Sequence, residues 1–335
     1  MAVSNVPVLP HPGQVGDQRS IPPPPAEDFN ASFGGVLPPA QTFQSYLGVT
    51  TYYVIEPCHP SPSTTATPRN VVLIHGVGTP AIGLLPLAKL LAADSTPTTV
   101  LIYDNWGHGL SSTPVAAHVP GLFHTQILGL LAHLGWSRAH FLGFSLGGII
   151  AASFAQYHTT VVQSLVLIAP AGLLKKSGLT SWERFLRWGG WGWGWGDLSA
   201  NSVWDYLGPG PVEEGWEKKF KEKGLEAIPR EAVQIWEKEK HAGHVASLVS
   251  CYRYTGVYDA HDTYRSLAEG KLETLVLLGE KDGFFEKDYM QKEFKSVGWK
   301  GDIHVVDGVG HSVAGEKPKE VREMMVDFWD NLEDA

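Results

Sequence analysis

The chain has 335 residues, of which 43% are hydrophobic and 18% are charged, and its formal net charge is −9. This composition is typical of a globular protein with a sizeable core, whereas the acidic balance argues against a nucleic-acid partner, because phosphate binding requires clustered lysines and arginines. Two cysteines are too few for a disulfide framework. The sequence has neither a signal-peptide pattern nor an apolar stretch of roughly 18 residues. We therefore expect a cytoplasmic protein without a transmembrane segment.

The first part of the chain differs in composition from the rest. Residues 1–40 contain nine prolines and show no periodic apolar pattern. Such a segment favours an extended backbone that buries little surface. We therefore predict a poorly ordered N-terminal arm over residues 1–40, followed by an antiparallel hairpin at a sheet edge over residues 43–56.

A region of low charge follows the hairpin. Between Arg69 and Pro170 only five residues are charged, and short runs rich in β-branched residues alternate with longer helical stretches. The runs are apolar on both faces, as strands of a parallel sheet covered by helices are. The predicted strands are residues 71–74, 100–103, 139–142 and 165–168, and the predicted helices are residues 83–94, 121–136 and 146–158. This alternation predicts an α/β doubly wound fold.

A serine flanked by glycines lies where the third run meets the next helix, in Gly143-Phe144-Ser145-Leu146-Gly147. When a buried strand turns at once into a helix, the residue at the apex is strained, and side chains two residues away would collide unless they are hydrogen atoms. The hydroxyl of Ser145 would then project from the sheet, and the N–H of Leu146 would face a developing oxyanion. The alternative is a serine that caps a helix after a glycine turn.

Residues 171–270 have a different character. They hold 27 charged residues and eight of the twelve tryptophans, which indicates an inserted module. Residues 213–223 and 231–240 have the pattern of amphipathic helices with a solvated face. The core then resumes with predicted strands at residues 275–278 and 303–306 and a closing helix at residues 317–332.

Residues 188–196 of the inserted module consist of alternating tryptophans and glycines. In an extended backbone, Trp191, Trp193 and Trp195 would share one face. Three roles fit this pattern: a flap over a bulky apolar or aromatic substrate, an anchor at a lipid surface, and a loop packed into a core or a dimer contact. The sequence leaves these roles open, and with them a homodimer and an interfacial membrane contact.

An acid and a histidine follow the last two predicted strands. Asp282 comes after the run that ends at residue 278, and His311 after the run that ends at residue 306. Ligands bind at the carboxyl ends of such strands, and a serine nucleophile needs a base that a carboxylate orients. Ser145, His311 and Asp282 can fill these roles, and Glu280 and Asp307 are the rival acids, with turn formation or solvation as their expected roles.

The first core strand ends in His75-Gly76-Val77-Gly78. A tetrahedral intermediate needs two donors at its oxygen, and the N–H of Val77 can join that of Leu146 if the chain turns inward here. The residues predicted to contact substrate are Gly76, Gly78, Trp106, Phe144, Trp191, Trp193 and Trp195.

Together these blocks resemble the α/β-hydrolase family, in the type that has a serine nucleophile and an inserted cap. The resemblance covers about residues 43–332 apart from the cap. It implies a mostly parallel eight-stranded sheet flanked by helices, with the core at residues 41–170 and 271–335 and a helical cap at residues 171–270 between strands six and seven. It also implies Asp104 and residues 107–109 as a structural turn.

The resemblance implies a serine hydrolase that cleaves a carboxylic ester or lactone through an acyl-enzyme, with a Ser-His-Asp triad, an oxyanion hole and no cofactor. Its substrate would be small and apolar or aromatic. The alternatives are hydrolysis of a carbon–carbon bond in a β-diketone or vinylogous diketone, and a non-catalytic receptor of the same fold. Epoxide hydrolases and dehalogenases of this fold need a carboxylate at the elbow, where this chain has Ser145.

The remaining histidines and cysteines are expected to be structural. His75 would support the oxyanion loop through hydrogen bonds. His241 and His244 lack a carboxylate set nearby and are predicted to be surface residues, so we predict no metal site. Cys251 is predicted to be a small buried apolar side chain.

Overall fold

A computed structural model of the protein describes residues 9, 19–58, 68–188, 196–223 and 228–333. The strands are β1 (Ser20–Ile21), β2 (Gln41–Ser45), β3 (Gly48–Ile55), β4 (Arg69–Ile74), β5 (Thr98–Tyr103), β6 (Thr113–Pro114), β7 (Ala139–Phe144), β8 (Val162–Ile168), β9 (Thr274–Gly279) and β10 (Ile303–Val306). Within the described residues, eight of these strands form one sheet in the order β10-β9-β8-β7-β4-β5-β3-β2, and β1 pairs with β6.

The sheet is largely parallel. Neighbouring strands from β5 through β4, β7, β8 and β9 to β10 run parallel, whereas β3 is antiparallel to both β2 and β5. The central strands β4, β5, β7 and β8 are almost wholly buried, because helices cover both faces of the sheet. The predicted α/β fold and the predicted edge hairpin are both confirmed.

The helices are α1 (Ala26–Phe33), α2 (Leu85–Ala92), α3 (Pro120–Leu134), α4 (Leu146–Tyr157), α5 (Ser181–Trp188), α6 (Gly196–Leu207), α7 (Trp216–Lys223), α8 (Arg230–Lys240), α9 (His244–Tyr254), α10 (His261–Glu269), α11 (Lys287–Ser296), α12 (Val313–Glu316) and α13 (Pro318–Glu333). Helices α5 to α9 lie between β8 and β9, and we call them the inserted helices. They enter the chain between the sixth and seventh strands of the large sheet.

Helix α10 belongs to the core rather than to the insertion. It packs on α4, and its Tyr264 is fully buried in the core of the large sheet. The hydroxyl of Tyr264 also donates a hydrogen bond to the carbonyl of Ala171. The predicted cap at residues 171–270 includes this helix, because the charge and tryptophan content on which that bound rests does not show which helices pack on the sheet.

The N-terminal arm is more ordered than its prolines suggest. Helix α1 buries Phe29 and Phe33, which lie one turn apart on the same face. Their rings lie 5.1 and 6.1 Å from the ring of Trp236 in α8. The predicted poorly ordered arm over residues 1–40 is thus wrong for residues 26–33, because Pro25 ends the proline run and the next two aromatic residues find a hydrophobic partner on the inserted helices.

This contact gives a prediction for the arm. Phe33 is 1% exposed, and we expect Phe33→Ala to lower the free energy of unfolding by about 3 to 5 kcal/mol, because it removes a buried aromatic ring and leaves a cavity. Denaturant unfolding measures the loss. The control is Tyr157→Ala, whose side chain is 70% exposed. Equal unfolding midpoints for the two variants would contradict the packing described here.

Candidate active site

Ser145 lies at the sharp turn between β7 and α4 with φ 55° and ψ −115°, a strained conformation for a residue other than glycine. The glycines on either side permit this turn. A Cβ on Gly143 would lie 2.2 Å from the carbonyl oxygen of Gly147, and a Cβ on Gly147 would lie 2.1 Å from the carbonyl oxygen of Ile74. The steric reason predicted for these two glycines is confirmed.

Ser145, His311 and Asp282 form a continuous chain of hydrogen bonds. His311 Nε2 lies 2.9 Å from Ser145 Oγ, and His311 Nδ1 lies 2.8 Å from Asp282 Oδ2. Asp282 is 4% exposed, and its Oδ1 accepts the N–H groups of Phe284 and Phe285 at 2.8 and 2.9 Å. With the imidazole proton on Nδ1, the hydroxyl donates to Nε2 and the ring donates to the carboxylate. This arrangement can transfer the proton of a serine nucleophile.

The two rival acids, Glu280 and Asp307, have surroundings that differ from those of Asp282. Glu280 Oε2 accepts the N–H of Gly308 at 2.8 Å, and this hydrogen bond holds the pKa of Glu280 below its ordinary value. Asp307 is exposed. Glu280 thus stabilises the turn after β10, as expected, and Asp282 is the carboxylate that contacts the histidine.

The two segments predicted to carry the oxyanion donors lie next to Ser145. Val77 and Leu146 line the same cavity as Ser145, and Leu146 begins α4, so its N–H has no acceptor within the helix. The loop after β4 approaches closely, since a Cβ on Gly76 would lie 3.0 Å from the Cβ of Ser145. Gly78 has φ +64°, which only glycine adopts readily. The residues predicted for the oxyanion hole therefore border the nucleophile.

Buried polar side chains hold these loops in place. His75 Nδ1 donates to the carbonyl of Gly76 at 2.7 Å, and its Nε2 accepts the N–H of Asn105 at 2.8 Å. Burial lowers the pKa of His75 to about 4, so the ring is neutral at physiological pH and can keep both bonds. The expected supporting role of His75 is confirmed.

The turn after β5 is stabilised by Asp104. Its carboxylate accepts the N–H groups of Ala81 and Leu110 at 2.9 and 2.8 Å. A Cβ on Gly109 would lie 2.4 Å from the carboxyl carbon of Asp104. The structural turn implied for Asp104 and residues 107–109 is therefore present.

A largely apolar cavity lies above Ser145, between the sheet and the inserted helices. The space, part of which is open to solvent, is about 670 Å³. Its core wall includes Val77, Thr79, Phe144, Leu146, Phe284 and Phe285. The inserted helices contribute Tyr206, Leu207, Arg230, Gln234, Cys251 and Tyr252. The hydroxyl of Ser145 thus opens into a space suited to an apolar group.

The predicted substrate contacts have different outcomes. Phe144 lines the cavity, as predicted. Gly76 and Gly78 do not belong to its lining: Gly76 lies against Phe144, whose ring would be 3.2 Å from a Cβ at that position, and Gly78 lies against Gln234. The prediction for Trp106 is wrong, because its side chain is 1% exposed and lies in the core of the large sheet. The side chain of Gln126 accepts the backbone N–H of Trp106. Trp191, Trp193 and Trp195 lie outside the described residues.

Helix α8 carries buried polar residues that the sequence did not reveal. A solvated face was predicted over residues 231–240, yet Gln234 is 3% exposed and Glu237 is fully buried. With Arg230 and His241, these residues recur at helical spacing and form one polar stripe that faces the core. The regular spacing of these residues is the signal in the sequence that could have indicated a buried polar face. The many charged residues around them favoured the interpretation as a solvated surface.

His241 and His244 are buried, which corrects the prediction of surface residues. They are 1% and 0% exposed. The ring of His241 hydrogen-bonds to the carbonyl of Ser111 at 2.8 Å, and that of His244 to the carbonyl of Gly107 at 2.9 Å. Burial lowers the pKa of His244 to about 3, so it stays neutral. Both side chains fasten the inserted helices to the loop after β5.

Three further properties of the described residues concern metal binding, membrane spanning and the reactivity of a thiol. Among the described residues, no three His, Cys, Asp or Glu side chains are grouped as a metal site requires. In the same part of the chain, no helix combines the length and apolarity needed to cross a membrane. Cys251 is fully buried, as expected, and burial raises the pKa of its thiol to about 12, which keeps it protonated.

Sequence comparisons identify relatives of the chain. A sequence model of the alpha/beta hydrolase family matches residues 71–324. The dihydrolipoyllysine-residue acetyltransferase component of the acetoin cleaving system of Pseudomonas putida is 27% identical over 259 residues, which are 77% of this chain and 62% of that protein. This chain therefore spans less than two thirds of that relative. The 2-hydroxy-6-oxo-6-phenylhexa-2,4-dienoate hydrolase of Comamonas testosteroni is 25% identical over 281 residues, covering 77% of this chain and 86% of that protein.

Structural comparison supports the same fold. A thermophilic esterase from Thermogutta terrifontis, solved with malate bound, is similar with a TM-score of 0.62 at 18% identity. The similarity covers 88% of this chain and 99% of that chain. At this identity the likeness concerns the arrangement of sheet and helices.

Proposed function

Because the chain belongs to the alpha/beta hydrolase family, we propose that it is a serine hydrolase that cleaves carboxylic esters or lactones through an acyl-enzyme. The observation that carries this proposal is the chain of hydrogen bonds from Ser145 through His311 to Asp282. Its serine end opens into the apolar cavity. A nucleophile, a base and an orienting acid in this geometry suit acyl transfer.

In the proposed reaction, His311 Nε2 takes the proton of Ser145 as the hydroxyl oxygen attacks the carbonyl carbon. The N–H groups of Val77 and Leu146 bind the oxygen that becomes negative. Asp282 keeps the ring in the correct tautomer and stabilises the imidazolium. His311 then protonates the leaving alcohol and later activates the water that releases the acid.

The inserted helices act as a cap that selects the substrate in this proposal. Tyr206, Leu207 and Tyr252 form the cavity wall opposite the sheet, and the hydroxyls of Tyr252 and Tyr258 hydrogen-bond at 2.6 Å. Two tyrosines joined in this way present aromatic surface while their polar atoms satisfy each other. The cavity therefore favours an apolar or aromatic acyl group.

A second candidate is hydrolysis of a carbon–carbon bond. The relative from Comamonas testosteroni that covers most of this chain is a 2-hydroxy-6-oxo-6-phenylhexa-2,4-dienoate hydrolase. A β-diketone or vinylogous diketone presents a carbonyl carbon to the same serine, with a stabilised carbanion as the leaving group. The largely apolar lining of the cavity suits either class of substrate.

The test is a panel of substrates assayed with the wild-type protein and with Ser145→Ala. The panel contains esters graded in acyl length, aryl esters, a macrolactone and a β-diketone. We expect turnover of an apolar ester or lactone, lost in the variant. Faster turnover of the β-diketone would favour carbon–carbon cleavage, and binding without turnover of any compound would indicate a non-catalytic binding protein.

A further inference from the structure

Arg230 is a cation at the wall of the apolar cavity. It is half-buried at the first turn of α8, and its Nη1 donates to Ser312 Oγ at 3.3 Å. Ser312 directly follows His311, so the guanidinium lies beside the proposed catalytic residues. Its Nε is buried and has no hydrogen-bond partner among the residues that the structure describes. Arg230 therefore has an unused donor next to the site of reaction.

The described residues offer Arg230 no carboxylate within ion-pair distance. Within the described residues, the ion pairs include none formed by Arg230. A half-buried guanidinium whose buried Nε lacks an acceptor can bind an acceptor group that a ligand brings to it. A fully exposed lysine differs from Arg230 in this respect, because water solvates its whole ammonium group.

Gln234 provides a second, independent observation. It lies one turn further along α8, is 3% exposed and lines the same cavity. Its Oε1 is buried and finds no hydrogen-bond partner in the described part of the chain, whereas its amide nitrogen lies against the turn at Gly78. If the cavity bound only hydrocarbon groups, this buried acceptor would remain without a hydrogen bond. The two residues together indicate a polar group of the ligand at this wall.

The location of Arg230 defines where that group lies. A wider groove runs between α2, α12 and the start of α8, and Thr79, Phe144 and Arg230 line both the groove and the cavity. The guanidinium thus stands where the groove meets the cavity. A ligand that reaches Ser145 with its carbonyl can place another group at this junction.

We propose that Arg230 determines specificity by binding a carboxylate of the substrate at this junction, with Gln234 accepting a hydrogen bond from a neighbouring hydroxyl or amide of the same molecule. A guanidinium fork matches the two oxygens of a carboxylate. One cation matches one negative charge, which favours a carboxylate over a doubly charged phosphate. The inference rests on the proposed function, since the carboxylate belongs to an ester that Ser145 attacks.

The kinetic test compares two substrates that differ only in charge. Mono-p-nitrophenyl glutarate carries a free carboxylate, and its glutaramate analogue carries a neutral carboxamide of the same shape. We expect wild-type kcat/KM to favour the carboxylate by about tenfold or more, the worth of a charge-assisted hydrogen bond. In Arg230→Gln the ratio should fall to about one, and Arg230→Lys should retain part of it.

The matched control is Lys89→Gln. Lys89 lines the groove and not the cavity, so its replacement removes one positive charge without changing a residue that lines both. We expect this variant to keep the wild-type ratio. A preference that Lys89→Gln reduces as much as Arg230→Gln does would indicate the general field of the groove and would overturn the assignment to Arg230.

A binding measurement separates this inference from the proposed function. Calorimetry gives the dissociation constants of the two compounds for Ser145→Ala, with and without Arg230→Gln. We expect the second substitution to weaken binding of the carboxylate about tenfold and to leave the carboxamide nearly unchanged. Such binding without wild-type turnover would reject the hydrolase and keep the carboxylate site. Turnover with the same charge preference in wild type and Arg230→Gln would keep the hydrolase and reject the site.

Discussion

Replacing Ser145 with alanine is expected to lower kcat/KM for the best ester substrate by about a thousandfold to a millionfold. The hydroxyl is the group that His311 contacts at 2.9 Å, and without it no acyl-enzyme forms. The oxyanion donors and the cavity remain, so a small residual rate is expected from binding and electrostatic stabilisation alone. Steady-state kinetics measures the loss, and circular dichroism shows that the fold is retained.

Ser153→Ala is the matched control for this substitution. Ser153 is a buried serine of the same helix, α4, and is 4% exposed. It lies two turns beyond the nucleophile, so we expect rates within about twofold of the wild type, because only local packing changes. If Ser145→Ala kept rates close to those of Ser153→Ala, the nucleophile would have to be another group.

Asp282→Asn is expected to lower kcat by about ten-thousandfold with little change of structure. The asparagine oxygen can still accept the N–H groups of Phe284 and Phe285, which turns its amide group toward His311. An amide donor there favours the imidazole tautomer with the proton on Nε2. That tautomer cannot accept the proton of Ser145. Single-turnover kinetics of acylation measures the effect on the chemical step.

Glu280→Gln is the control for the acid. Glu280 follows the same strand, β9, but its carboxylate accepts the N–H of Gly308 rather than contacting the histidine. A glutamine oxygen can accept the same bond, and we expect rates within about threefold of the wild type. A large loss in Glu280→Gln together with a small loss in Asp282→Asn would reverse the assignment of the acid.

The core fold and the serine site were accessible from the sequence because their signals are local. Buried parallel strands are short continuous apolar runs, and the residues that follow them lie at one edge of the sheet. The elbow requires glycine two positions to either side of Ser145, because a Cβ on Gly143 would meet the carbonyl of Gly147 and a Cβ on Gly147 would meet that of Ile74. Asp282 and His311 could be paired with it because they follow neighbouring strands.

The features that the sequence did not reveal depend on contacts between distant segments. Helix α1 orders because Phe29 and Phe33 meet Trp236, more than 200 residues further along the chain. Trp106 was expected at the cavity, but the loop after β5 turns it into the core. From the sequence alone, the polar residues around Glu237 resemble a solvated helix face. In the structure the Glu237 carboxylate is buried because it accepts the N–H of Gly109, in the loop after β5, at 2.7 Å.

Covalent labelling tests the central claim most directly. A small alkyl fluorophosphonate reacts with a serine that is activated by a histidine and bordered by oxyanion donors. Intact mass and peptide mapping are predicted to show a single label on Ser145, no label in Ser145→Ala, and much slower labelling in His311→Ala. Absence of labelling in the folded wild-type protein, or a label on a different residue, would contradict the assignment of Ser145 as an activated nucleophile.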